Sequence, residues 1–240
     1  MRVYAIGDIH GQLDLLKAAH QRIFDDGGTD ATIAHVGDLI DRGPDSAGVV
    51  DYLMQGRNAG RPWVVTRGNH DRFLPNFLND PDWTDKGMST GAHWVDHPGL
   101  GAAATLASYG IDPDQPREAL LRDARRAVPA THARFLATLP LWYLHPRALV
   151  VHAGVRPGVD LQAQDEHDLV WIRKGFLESE ADHGPLVVHG HTALDRPMLH
   201  RNRLNIDSGA AYGRELTAVV IEADGVHVLT ETGRVPMQVE

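Results

Sequence analysis

Residues 63–71 read "WVVTRGNHD". Four apolar or β-branched residues, 63–66, make a strand-like run. The run goes straight into Arg67, Gly68, Asn69, His70 and Asp71, with a glycine at which the chain turns. A strand that ends in an arginine, an amide, an imidazole and a carboxylate is either entering a polar turn or delivering a site.

Working outward, other strand-like runs end the same way. Residues 3–6 end in "GDIHG" (7–11) and 31–36 in "GDLIDRG" (37–43). Residues 148–151 end in "HAG" (152–154) and 186–188 in "HGHT" (189–192). Further β-rich runs lie at 204–206 and 216–221. Between the early strands, Leu13, Leu16, His20, Ile23 and Phe24 recur at three- and four-residue steps, one face of a helix. Asp45 and Ser46 cap a second helix carrying Val49, Val50, Leu53 and Met54, with Gly56 as its stop signal. This order predicts a parallel βαβαβ start, and the closer spacing of the later strands predicts a second, more mixed sheet, an α/β class. Residues 79–140 break the pattern. Pro, Gly, Asp, Trp83 and Trp94 dominate first, then helical stretches follow at 117–127 and 130–138. They are expected to form an insertion, or lid, over the edge of the site within one domain spanning 1–240.

Composition narrows the function. The chain has 240 residues, 42% of them hydrophobic, which suits a sizeable core. There is no cysteine, so disulfides and thiolate metal sites are excluded. The net charge is −9 with no basic tract, which argues against nucleic acid as a partner. No apolar run reaches the length of a membrane span, and "MRVYAIGDIHG" enters a strand without a signal-peptide core. The expectation is a cytoplasmic protein with no membrane or nucleic-acid partner. In an open α/β sheet, ligands bind beyond the carboxyl ends of strands. A single Gly-Asp or Asn-His turn there is ordinary, but five in succession deliver Asp, Asn and His. Oxygen and imidazole donors without thiolate suit Mn, Fe or Zn.

GDxHG, GDxxDRG, RGNHx, HAG and GHT in this order resemble the phosphoprotein phosphatase family of metallophosphoesterases. The likeness is greatest to its small bacterial and phage members, such as the phage lambda protein phosphatase, and it runs over 2–222. It implies a four-layer αββα sandwich, the calcineurin-like metallophosphoesterase fold. It also implies two divalent metal ions, Mn foremost, with Fe or Zn suiting the same ligands. Asp8 and His10 would hold the first ion, Asp38 would bridge, and Asn69, His152 and His191 would complete the second. His189 precedes the GHT motif and is expected to pack rather than to bind. Arg42, Arg67 and Arg173 would grip phosphate, since a guanidinium fork binds two oxygens at once. His70 would protonate the leaving oxygen, and Asp41 would keep it protonated.

The implied reaction is one-step attack of a metal-bridging hydroxide on phosphoserine or phosphothreonine of a protein, by a monomeric enzyme. Asp71 stands where the family's protein phosphatases usually carry Glu, and orienting an arginine is the role open to it. "GAAATLASYG" (101–110) resembles a segment of small bacterial members without disclosing a role. The first alternative is a diadenosine tetraphosphate hydrolase. That subgroup often has GNHD, but it typically has alanine at the Asp41 position, no arginine at the Arg67 position, and GHW. The second is a non-catalytic metal-binding module, which predicts loss of a ligand or of the His70–Asp41 pair. A nucleic-acid phosphodiesterase is weakened by the missing basic surface. His20 and His35 read as core or edge residues.

Overall fold

A computed structural model describes residues 2–88 and 91–240; Met1, Ser89 and Thr90 lie outside the described residues. In chain order the strands are β1 (Val3–Ile6), β2 (Ile33–His35), β3 (Trp63–Val65), β4 (Trp142–His145), β5 (Ala148–Val151), β6 (Leu186–His189), β7 (Met198–Leu199), β8 (Arg203–Asn205), β9 (Ala218–Ile221), β10 (Val226–Thr230) and β11 (Gly233–Pro236). The helices are α1 (Leu13–Gly27), α2 (Ser46–Asn58), α3 (Phe73–Asn79), α4 (Ala102–Ser108), α5 (Arg117–Ala127), α6 (Ala130–Ala137) and α7 (Glu166–Trp171).

Among the described residues the strands form two mixed sheets, ordered β11-β10-β9-β1-β2-β3 and β4-β5-β6-β8-β7. The parallel βαβαβ start is present, with Tyr4 facing Ile33 and Ile33 facing Trp63 in register. The later strands do build the second sheet, but β9 returns to the first and pairs antiparallel with β1. Its sequence alone does not show this, because β1 is apolar on both faces and offers two equivalent edges.

Side-chain alternation sets the layers. Val3 and Ala5 of β1 join Ala148 and Val150 of β5 in one apolar cluster between the sheets. Tyr4 and Ile6 point the other way, onto Leu16 and Ile23 of α1 and Val49, Val50 and Leu53 of α2. On the far face of the second sheet, Leu149 and Val151 pack with Leu169 of α7 and Phe176. The result is helices, sheet, sheet, helices. Trp94, Leu100, Leu106, Leu120 and Leu136, all from residues 79–140, join the same cluster as α1 and α2. No helix among the described residues is long and apolar enough to cross a membrane.

Asp45 caps α2, accepting from Gly48 N at 2.8 Å. Gly56 does not stop this helix, which continues to Asn58. It is needed for packing, since a Cβ there would lie 1.8 Å from the Trp63 ring.

His20 and His35 are fully buried core residues. The Nδ1 of His35 faces the carbonyl of Val64 at 3.0 Å and must carry the proton. Its Nε2 therefore accepts from His20 Nε2 at 2.9 Å, and His20 Nδ1 accepts from Tyr52 Oη at 3.1 Å. This chain is complete only with both rings neutral. Burial lowers His20 to about 2, helped by His35, and lowers His35 to about 4. The unfolded chain takes up protons below about pH 6.5 that these rings refuse. Their contribution to stability is thus present above about pH 6.5 and is lost as pH falls towards 4. The slope is about 1.4 kcal/mol per pH unit for each ring. Urea midpoints between pH 7 and pH 4.5 should fall less steeply in a His20→Phe, His35→Leu double variant. An unchanged slope would show that the pair is not held neutral.

Candidate metal centre and active site

The loops after β1, β2, β3, β5 and β6 meet at one place. They carry Asp8, Asp38, Asn69, His152 and His191, all buried. Among the described residues, the non-glycine positions with positive φ are His10, Asp38, Asp41, Arg42 and His191. All five lie in these loops or the turns that follow. Backbone strain of this kind costs on the order of 1–3 kcal/mol per residue and persists where surrounding structure enforces it. Gly68 answers to the same crowding, since a Cβ there would lie 2.1 Å from Asp38 Oδ1.

The candidate ligands fall into two groups that share Asp38. One is His10, Asp38 and His70; the other is Asp38, His152 and His191, with ligand atoms of each group within 4.8 Å of one another. Asp8 sits beside the second group, its Oδ2 accepting from His191 N at 3.0 Å and its buried Oδ1 without a partner. Hydrogen bonds fix the ring protons. His10 Nδ1 donates to Ile40 O and His152 Nδ1 donates to Val36 O, both at 2.9 Å. Burial lowers His10, His152 and His191, so each is a neutral ring with a lone pair to offer. The His152 Nε2 lone pair points at Asn69 Oδ1, 2.9 Å away, and lies 3.3 Å from Asp38 Oδ1. Three acceptors converge with no proton between them, and His191 Nε2 is buried without a partner. A cation resolves that arrangement.

The carboxylates agree. Burial pushes the Asp8 carboxyl well up, and the neighbouring Asp207 and Asp38 push it further. Asp38 moves the other way. Burial opposes its charge, and positive charge on the surrounding His152, His70, His10 or His191 would hold it below the usual range, a part that falls to a cation when those rings are neutral. Three carboxyls crowded in a buried centre are costly unless positive charge compensates them. Asp207, at the end of "LNID" after β8, was not singled out by the sequence. The signal was available, because it is one more acid at a strand end.

His70 stands beside this centre. Its Nδ1 donates to Asp41 Oδ2 at 2.7 Å and its backbone N donates to Asp38 Oδ1 at 3.0 Å. Arg42 spans the two rings, with Nη1 donating to His10 Nε2 at 2.7 Å and Nη2 to His70 Nε2 at 3.1 Å. A cleft of about 180 Å³ opens over Asp38, Asn69, His70 and His191, with Arg42 and Arg173 in its wall. Trp171, which the sequence did not single out, forms another part of the wall, its ring 5.5 Å edge-on to His191.

Two sequence expectations change. Arg67 does not line the cleft; it donates to Glu166 Oε1 at 3.0 Å and Ala137 O at 3.1 Å. Asp71 orients no arginine. It accepts from Leu39 N and Gly68 N, both at 2.8 Å, tying the loops after β2 and β3 together. Burial and the nearby Asp38 push its carboxyl up to about 7. Trp83 and Trp94 of the 79–140 segment both pack on Phe73. His189 packs against Phe176, ring centroids 5.1 Å apart.

This geometry has a counterpart among known proteins. The family model for calcineurin-like phosphoesterases matches residues 1–229. The chain belongs to that family. As a calcineurin-like phosphoesterase it is 29% identical to serine/threonine-protein phosphatase 1 of Salmonella typhimurium (strain LT2), over 92% of each chain. It is 26% identical to the asymmetrical bis(5'-nucleosyl)-tetraphosphatase PrpE of Bacillus thuringiensis (strain Al Hakam), over 91% of this chain and 90% of that one. Its fold is shared with a cold-active protein-tyrosine phosphatase of a psychrophilic Shewanella species, with a TM-score of 0.60 and 17% identity over 99% of this chain and 80% of that one. The family fixes phosphoester hydrolysis as the class of reaction, and its relatives here include both a protein phosphatase and a dinucleoside tetraphosphatase.

Proposed function

We propose that the chain is a dinuclear-metal phosphomonoesterase acting on phosphoserine or phosphothreonine in proteins, within one domain whose 79–140 segment helps to wall the cleft. The observation that carries this reading is the buried His70–Asp41 pair set directly beside the Asp38-centred ligand groups. A protein that only bound metal would have no use for it. Asp8, His10 and Asp38 would hold one ion, and Asp38, Asn69, His152 and His191 would hold the other, with Asp8 lying between the two sets through its bond to His191 N. When bound, two divalent ions neutralise phosphate oxygens and make water acidic enough to attack phosphorus at neutral pH.

The chain's own residues do the rest. Arg42 and Arg173 present guanidinium groups to the phosphate. Asp41 fixes the His70 ring through Nδ1, which leaves Nε2 facing the cleft. As water attacks and the ester P–O bond breaks, the leaving oxygen takes the proton from His70 Nε2. Arg42 donates to both His10 Nε2 and His70 Nε2, so both contacts must give way for its guanidinium to turn to phosphate.

A second reading, hydrolysis of dinucleoside tetraphosphates, is favoured by one feature. Arg67, the arginine that sets the protein phosphatases apart from that subgroup, is held by Glu166 and not by the cleft. Metal-stripped protein titrated with Mn²⁺ should release phosphate from a phosphoserine/phosphothreonine peptide and leave diadenosine tetraphosphate largely intact. Preference for the dinucleotide, with its products separated, would overturn the first reading in favour of the second.

A further inference from the structure

Two side chains from the 79–140 segment, neither with an assigned role, end on the Asp41 carboxylate. Trp94 Nε1 donates to Asp41 Oδ2 at 3.0 Å, the oxygen that also accepts from His70 Nδ1. Thr105 Oγ1 donates to Asp41 Oδ1 at 2.7 Å. The direction of the second bond is that of a hydroxyl facing an ionised carboxylate, which can only accept; Thr105 Oγ1 in turn accepts from Asp41 N at 2.9 Å and lies 3.1 Å from Ser46 Oγ. Indole can only donate, so the first bond has one direction too. Both carboxylate oxygens are therefore engaged, and the plane of Asp41 is set by two groups that come from different elements. Trp94 is seated by stacking on Phe73, with an interplanar angle of 2°. Thr105 is seated by α4, whose entry is tied to the same turn by Arg42 N donating to Gly101 O at 3.3 Å. Asp41 itself has φ +75 and is completely buried. Backbone strain of this kind persists only where the surrounding structure enforces it.

We infer that Trp94 and Thr105 are positioning residues, which aim the His70 ring at the leaving oxygen by locking the carboxylate of Asp41. This rests on the reading of His70 as the proton donor. It gives a purpose to the "GAAATLASYG" stretch, which places its threonine at Asp41 and its first glycine carbonyl at Arg42.

The test uses the dependence on leaving group. A phosphoserine peptide expels a strongly basic alkoxide and needs a well-aimed proton. p-Nitrophenyl phosphate expels a weakly basic phenolate and hardly needs one. Thr105→Val removes the hydroxyl at constant volume, and Trp94→Phe removes the N–H while keeping the stack. In the Mn-loaded protein each should lower kcat on the phosphopeptide about tenfold to a hundredfold, with KM little changed. Each should lower kcat on p-nitrophenyl phosphate by no more than about threefold, the size of effect set by the weaker need for a proton. Thr105→Ser should restore the phosphopeptide rate, and metal content by elemental analysis should be unchanged. Equal losses on both substrates, or no loss on either, would overturn the inference. His70→Asn is the control. If that variant shows no difference between the two substrates, His70 is not the proton donor, and the proposed function fails before the positioning role does.

Discussion

Asp38→Asn should empty the centre and stop turnover. Asp38 is the one residue common to both ligand groups. Its Oδ2 lies 3.4 Å from His10 Nε2 and its Oδ1 lies 3.3 Å from His152 Nε2, so the carboxylate faces both sides. Asparagine keeps the shape but removes the charge and turns one end into a donor among neutral imidazoles. Metal content measured by elemental analysis should fall below one ion per chain. Activity should fall by about 10⁴-fold or more, the rate equivalent of the several kcal/mol that metal ions contribute to phosphate chemistry. Full metal content in this variant would show that Asp38 does not bridge.

His70→Asn should separate chemistry from metal binding. General acid catalysis is worth on the order of 10²–10⁴-fold, and the phosphopeptide rate should drop within that range. Metal content should stay at the wild-type level, because the proposed ligand set does not include this ring. His70 lies close enough to His10 and Asp38 to serve as a ligand itself. Loss of metal in this variant would move His70 from proton donor to ligand.

The legible parts of the protein are those in which a residue's partners are near in sequence or follow from one repeating rule. β1 and β5 were read residue for residue because both of their faces are buried and run apolar. The β10–β11 hairpin is harder to read, since β11 is four residues long, carries glycine and proline at its ends and is exposed throughout. The ligand-bearing loops were legible because each donor sits at the end of its own strand. What was not legible depends on pairings across the fold. Thr105 meets Asp41 from 64 positions away and Trp94 from 53. Arg67 finds Glu166 across 99 positions, and nothing in its own loop announces that partner. Asp71 spends its carboxylate on backbone donors, which no side-chain pattern reveals.

The pairing of β1 with β9 has a consequence for how the chain is made. β1 emerges from the ribosome among the first residues, yet its antiparallel neighbour is synthesised about 210 residues later. At roughly 5–20 residues per second that is a wait of about ten to forty seconds. Through all of it, one edge of the central strand carries free N–H and carbonyl groups, an open template for pairing with another chain. His152 and His191 also arrive late, so the nascent chain holds Asp8, His10 and Asp38 long before it can complete the second ligand group. Translation stalled between β6 and β9 would release a molecule with nearly every site residue and an uncapped sheet, better equipped to aggregate than to catalyse.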